Sequence, residues 1–155
     1  MLRFKVLVSA VPLIAAAILA RVELFPSDRP CIAIGSGNVQ LAGALWHADL
    51  HVSFTDDPRL ATVRVAVSDN AATADFAVID GTGGAEENAC EATAATQFVA
   101  ISSRPNGSSP VIFLSHDEGP ADYRIFVDSK RVTERDAAAL IVGAHRDHRH
   151  LASLN

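Results

Sequence analysis

A chain of 155 residues, 49% hydrophobic but only 6% aromatic, suits one domain with a modest core and is too short for a large cofactor-dependent catalytic fold. Its formal net charge of −5 excludes a general nucleic-acid binder, which needs clustered Lys and Arg to displace counterions from phosphates. The apolar fraction excludes a disordered chain.

The first residues, MLRFKVLVSAVPLIAAAILARVELFP, carry Arg3 and Lys5, then no charge from Val6 to Ala20, then Arg21. A basic start before a short apolar stretch is the pattern of a secretory leader. The stretch falls short of the roughly 20 residues a membrane-crossing helix needs, and Pro12 weakens a helix there. Residues 1–20 therefore read as a signal peptide, ending at Ile18-Leu19-Ala20, or as a retained N-terminal anchor. Either way the chain is expected to be exported, periplasmic or held on the inner membrane facing the periplasm. The two cysteines, Cys31 and Cys90, form an even count, which in an oxidising compartment implies a disulfide. Closing so long a loop stabilises by about 4 kcal/mol in the chain-entropy view.

Residues 21–38 read as a tether, with Pro26, Pro30 and the turn Gly35–Asn38. Ile32 to Ile34 suits a short strand. The run VQLAGALWHA, 39–48, suits a short helix that carries Trp46 inward, and otherwise the start of a strand. From there a unit recurs. FTDDPRLATVRVAV (Phe54–Val67), VSDNAATADFAVID (Val67–Asp80) and LSHDEGPADYRIFV (Leu114–Val127) each give an apolar residue, a Ser or Thr, a short acidic loop, an Ala and an alternating strand. Period-two alternation marks half-buried strands at LHVSF, TVRVAVS, DFAVID, QFVAIS, VIFLS and ADYRIFVDS. Connectors this short predict antiparallel neighbours, and SRPNGSSP predicts a hairpin. TERDAAALIVGAH predicts a helix with Thr133 as N-cap, Asp136 three residues on, and an apolar stripe of Ala137, Leu140, Ile141 and Ala144. The expected fold class is α+β: an antiparallel meander-type sheet of about five or six strands with the C-terminal helix packed on one face. The expected domain spans 39–146, followed by a polar tail, 147–155.

Several clusters suggest chemistry. Asp56, Asp57, Asp69, Asp117 and Glu118 occupy equivalent loops, but successive turns of a meander lie at opposite ends of the sheet, so they read as turn carboxylates. His145, His148 and His150 stand at spacings that suit zinc, copper or nickel, with no clear set of completing ligands. Ser115-His116-Asp117 contains the residue types of a hydrolytic triad, but contiguous strand residues point to alternate faces. Gly35–Asn38 lacks the third glycine of a dinucleotide fingerprint. Strand parity places His51, Arg64 and Arg124 on one exposed sheet face with Ser53 and Thr62, where a small anion or a partner protein would fit.

The leader together with FTDDP, ADYRIFV and ERDAAALIV resembles small exported proteins of Gram-negative bacteria with no assigned activity, over residues 45–145. The resemblance implies export and carries no catalytic residues. The expectation is a non-enzymatic exported envelope domain, structural or protein-binding, with no cofactor and no nucleic-acid partner, touching a membrane only through an uncleaved N-terminal segment. Two alternatives are a metal-binding or metal-dependent domain using the C-terminal histidines, and a single-pass accessory subunit of a membrane complex.

Overall fold

The computed structural model describes residues 29–34, 37–80 and 92–152, with side chains of the last helix as far as His145. The leader lies outside the described residues.

The elements in chain order are β1 (Cys31–Ile34), β2 (Gly37–Leu41), β3 (Leu50–Phe54), β4 (Val63–Val67), β5 (Phe76–Ile79), β6 (Thr96–Ile101), β7 (Val111–Ser115), β8 (Tyr123–Asp128) and α1 (Glu134–Ala152). The strands form one curled, half-barrel sheet in the order β1-β2-β6-β3-β7-β4-β8-β5. Only β1 and β2 pair antiparallel. Every other pairing is parallel. The N-terminal run β2–β5 and the C-terminal run β6–β8 are laced together, strand between strand.

The antiparallel meander is thus corrected to a mixed, eight-stranded sheet, while the α+β class stands. Short links force antiparallel pairing only if the chain must return to its starting level, and here it does not. Ser53 and Phe54 of β3 lie beside Val111 and Ile112 of β7, and Val63 of β4 also lies beside Ile112. So β4 begins level with the end of β3, one strand further along. The intervening link crosses β7: the Thr55 N–H donates to Ile112 O at 2.9 Å and the Thr62 N–H to Val111 O at 2.8 Å. The next link crosses β8 in the same way, from Ser68 on Ile125 O to Asp75 on Arg124 O. The segment expected to be a hairpin, SRPNGSSP, is another such crossing, from β6 over β3 to β7.

The core follows a thirteen-residue period. Val39, Val52 and Val65 in one run, and Val99, Ile112 and Ile125 in the other, are all buried against α1. Alternation then turns their neighbours to the outer face, where the links pass. Ser53, Ala66 and Ala100 are small and buried there.

α1 is capped as expected. The Asp136 N–H donates to Thr133 Oγ1 at 3.1 Å, and the Thr133 N–H to Asp136 Oδ2 at 3.2 Å. Arg135 stacks on the Phe54 ring at 4.1 Å. The helix does not present a stripe, however. Residues 137–144 are all buried, because the curled sheet surrounds them. A helix that is apolar all round belongs inside a core. The run AAALIVGA keeps it thin enough to fit. At Gly143 an added Cβ would stand 2.5 Å from Val99 Cγ2.

Two more expectations change. Residues 39–48 form not a helix but the end of β2, a link and a 3-10 turn at Leu45–His47. Trp46 points outward and is 82% exposed. The tether expected over 21–38 already contains β1 and the first residues of β2.

The tight approach of α1 to β6 gives a test. Gly143→Ala gains helix propensity of about 1 kcal/mol but overpacks against Val99, a cost of about 1–3 kcal/mol. Urea unfolding is expected to show net destabilisation. Adding Val99→Ala is expected to cost less in the Gly143→Ala background than in the parent.

Candidate functional site

The polar residues nearest the strands bind the chain's own backbone. Asp49, Thr62 and Asp75 stand thirteen residues apart, each following an Ala and preceding a strand. Each latches the neighbouring strand twice. The Asp49 N–H donates to Phe98 O at 2.8 Å while Asp49 Oδ2 accepts from the Phe98 N–H at 2.8 Å. Thr62 holds Val111 by its N–H at 2.8 Å and by Oγ1 at 2.9 Å. Asp75 holds Arg124 at 2.8 and 2.7 Å. From the other run, Asp122 holds Arg64 at 2.8 Å by both bonds. A second device ends the strands. Thr55, Ser68, Ser102 and Ser115 each accept the backbone N–H two residues on, at 2.9–3.2 Å. These turns bend the chain away from the sheet and start each crossing link.

This accounts for most of the expected chemistry. The acidic loops are not the turns of a meander, since the links that carry them cross over the neighbouring strand from one level to the next. Asp57 accepts from the Arg59 N–H at 3.0 Å and from Arg59 Nε at 3.2 Å. The Arg59 side chain, then its N–H, hold the Asp57 carboxyl below its usual value. In Ser115-His116-Asp117 the serine Oγ accepts the Asp117 N–H, and His116 Nε2 faces Glu134 Oε2 at 3.2 Å, so no triad forms.

Arg64 and Arg124 lie on paired strands β4 and β8, while His51 on β3 is separated from them by β7. Arg64 Nη2 donates to Pro58 O at 3.4 Å and Arg124 Nη2 to Gly119 O at 3.2 Å. Both guanidinium groups therefore pin a crossing link to the outer face. A shallow cleft of about 150 Å³ lies between two such links, with Ala66, Phe113 and Ser115 as its floor and Pro58, Arg64 and Asp117 on its rim.

His145 packs edge-on to Phe76 at 4.8 Å and beside Tyr123 at 5.4 Å, with Nδ1 on Ile141 O at 2.9 Å. The side chains of His148 and His150 lie outside the described residues. Among the described residues no group of three or more His, Cys, Asp or Glu side chains gathers to hold a metal. Cys31 opens β1 and is not a free thiol. Cys90 lies outside the described residues.

Sequence reasoning missed Asp80. Its Oδ1 accepts from the Ser129 hydroxyl at 2.6 Å and its Oδ2 from the Lys130 N–H at 2.7 Å, with Arg131 Nε at 3.9 Å. This joins the end of β5 to the segment that leads into α1. The signal was present as a further Asp at the end of the recurring unit.

Comparison with protein-family models, curated proteins and solved structures finds no match to this chain.

Two tests follow from these contacts. Asp75→Ala removes the acceptor of the Arg124 N–H and is expected to cost about 1 kcal/mol. Hydrogen exchange should speed most at Arg124, and Asp75→Asn, which keeps an acceptor oxygen, should retain most of the protection. The second concerns acid. The Ser129 hydroxyl, then the Lys130 N–H, with smaller help from Arg131 and Lys130, lower the Asp80 pKa in the folded chain. Stability from this group is full above the ordinary Asp value of about 4 and is lost as pH falls through the lowered folded value. Urea midpoints of Asp80→Asn measured across that range should fall less steeply with acidification than those of the parent.

Proposed function

We propose that this chain is a non-enzymatic exported domain that serves a structural role or binds another protein, with Cys31 joined to Cys90. One observation carries the reading: among the described residues, the polar side chains that flank the strands are committed to the fold's own backbone. The aspartates before the strands latch neighbouring strands, the serines after them close turns, and Arg64 and Arg124 hold links in place. A surface organised this way is a scaffold for contacts. Export is supported by the basic and apolar pattern of residues 1–20. The disulfide is supported by Cys31 not being free and Cys90 being the only other cysteine.

The test is the intact mass of the protein isolated from its own cells, alkylated before reduction. The expected result is no alkyl group added without reductant and two after it, in a chain starting near Arg21 or, if the anchor is kept, at Met1. Two alkyl groups before reduction in a cytosolic fraction would overturn both the disulfide and the export.

A further inference from the structure

The link from β2 to β3 carries two exposed large apolar side chains at adjacent positions. Leu45 is 49% and Trp46 82% exposed, with His47 set edge-on to the indole at 6.0 Å. Burying such a pair in water's absence is favourable, and leaving it bare needs a reason. Its place in the fold supplies one. The Leu41 N–H donates to Pro30 O at 3.0 Å, and the Arg29 guanidinium occupies the space where a Cβ on Gly43 would stand. Arg29 and Pro30, which lead into β1, therefore lie directly beside this link. Ala20, the last residue of the uncharged apolar stretch, precedes Arg29 by nine positions. Nine residues, even fully extended, reach only about 30 Å.

We propose that the Leu45–Trp46 turn is a bilayer-docking tip, entering the headgroup region of the membrane in which residues 6–20 are anchored. Tryptophan is the side chain best suited to that depth, with an apolar ring and a polar N–H. Leu45 supplies the buried apolar contact, and Arg29 beside the turn faces lipid phosphate. Attraction of the whole domain is not required, and its net negative charge makes the contact local. One anchored segment leaves a domain free to swing, and a second contact fixes its orientation. The inference rests on the anchored form of the proposed function. A mass starting near Arg21 would remove the anchor, whereas failure of the test below would leave the anchor in place and remove only the docking tip.

The chain holds a single tryptophan, so its fluorescence reports this turn alone. The full chain is reconstituted in phosphatidylcholine vesicles, with and without phosphatidylcholine brominated near the glycerol end of its acyl chains. Emission is expected to shift to the blue, to lose about half or more of its intensity to the brominated lipid, and to resist quenching by aqueous iodide. Leu45→Asp is expected to restore water-exposed emission without changing the far-ultraviolet circular dichroism. Emission that stays at the water-exposed wavelength with full iodide access would overturn the proposal and leave Trp46 for a protein partner. Lipid quenching unaffected by Leu45→Asp would also overturn it, because the indole would then be reaching lipid by another route.

Discussion

The structure depends on a two-point bond between a strand's first polar residue and the backbone of its neighbour. A parallel sheet built without crossover helices gives its strands no tight hairpin to set their register. Here Asp49, Thr62, Asp75 and Asp122 do that work, each donating from its own N–H and accepting with its side chain on one residue of the adjacent strand. A one-residue slip would break both bonds and would turn the buried Val and Ile row away from the helix. Register and core are therefore set by the same thirteen-residue period, read on two faces of the strand.

That period also explains the helix. A sheet whose strands climb by one level at each step curls, and a curled sheet leaves a narrow trough instead of a flat face. The filler must be apolar on every side and slender where the sheet comes closest. Ala137 to Ala139 and Gly143 meet the second demand, and Leu140, Ile141 and Val142 the first. His145 closes the end of the trough between Phe76 and Tyr123. This aromatic rim, with the imidazole bonded back to Ile141 O, stands where the helix leaves the core.

Much of this was legible in the sequence and one decisive part was not. The strands from Leu50 to Asp128, the recurrence of their links, the capped start of the last helix and its apolar content all followed from periodicity and capping residues. Strand direction did not. The rule that short links join antiparallel strands assumes unstaggered strands, and nothing in a hydrophobic pattern reports stagger. The same gap misplaced the chemistry. Asp56, Asp69 and Asp117 drew attention because they cluster in loops, while Asp75 and Asp122, which follow an alanine at each strand's start, looked like ordinary flanking residues. A helix over residues 39–48 would turn Trp46 inward, and no such helix forms. The link that carries Trp46 crosses the outer face of β6, where inward is unavailable.

The lacing of the two runs has a consequence for the order in which the chain can become a protein. Apart from β1 with β2, no strand among the described residues pairs with its neighbour in sequence. The slots between β2, β3, β4 and β5 are filled only by segments that begin at Thr96 and end at Asp128, and the trough is filled only after that. A ribosome or a translocation pore must release β6, about two-thirds of the way along these residues, before the first parallel contact can close. Closing such distant contacts before any local reward makes for slow folding. The lacing is complete only once β8 has emerged, and once laced the sheet cannot be unpicked from one end without losing the core.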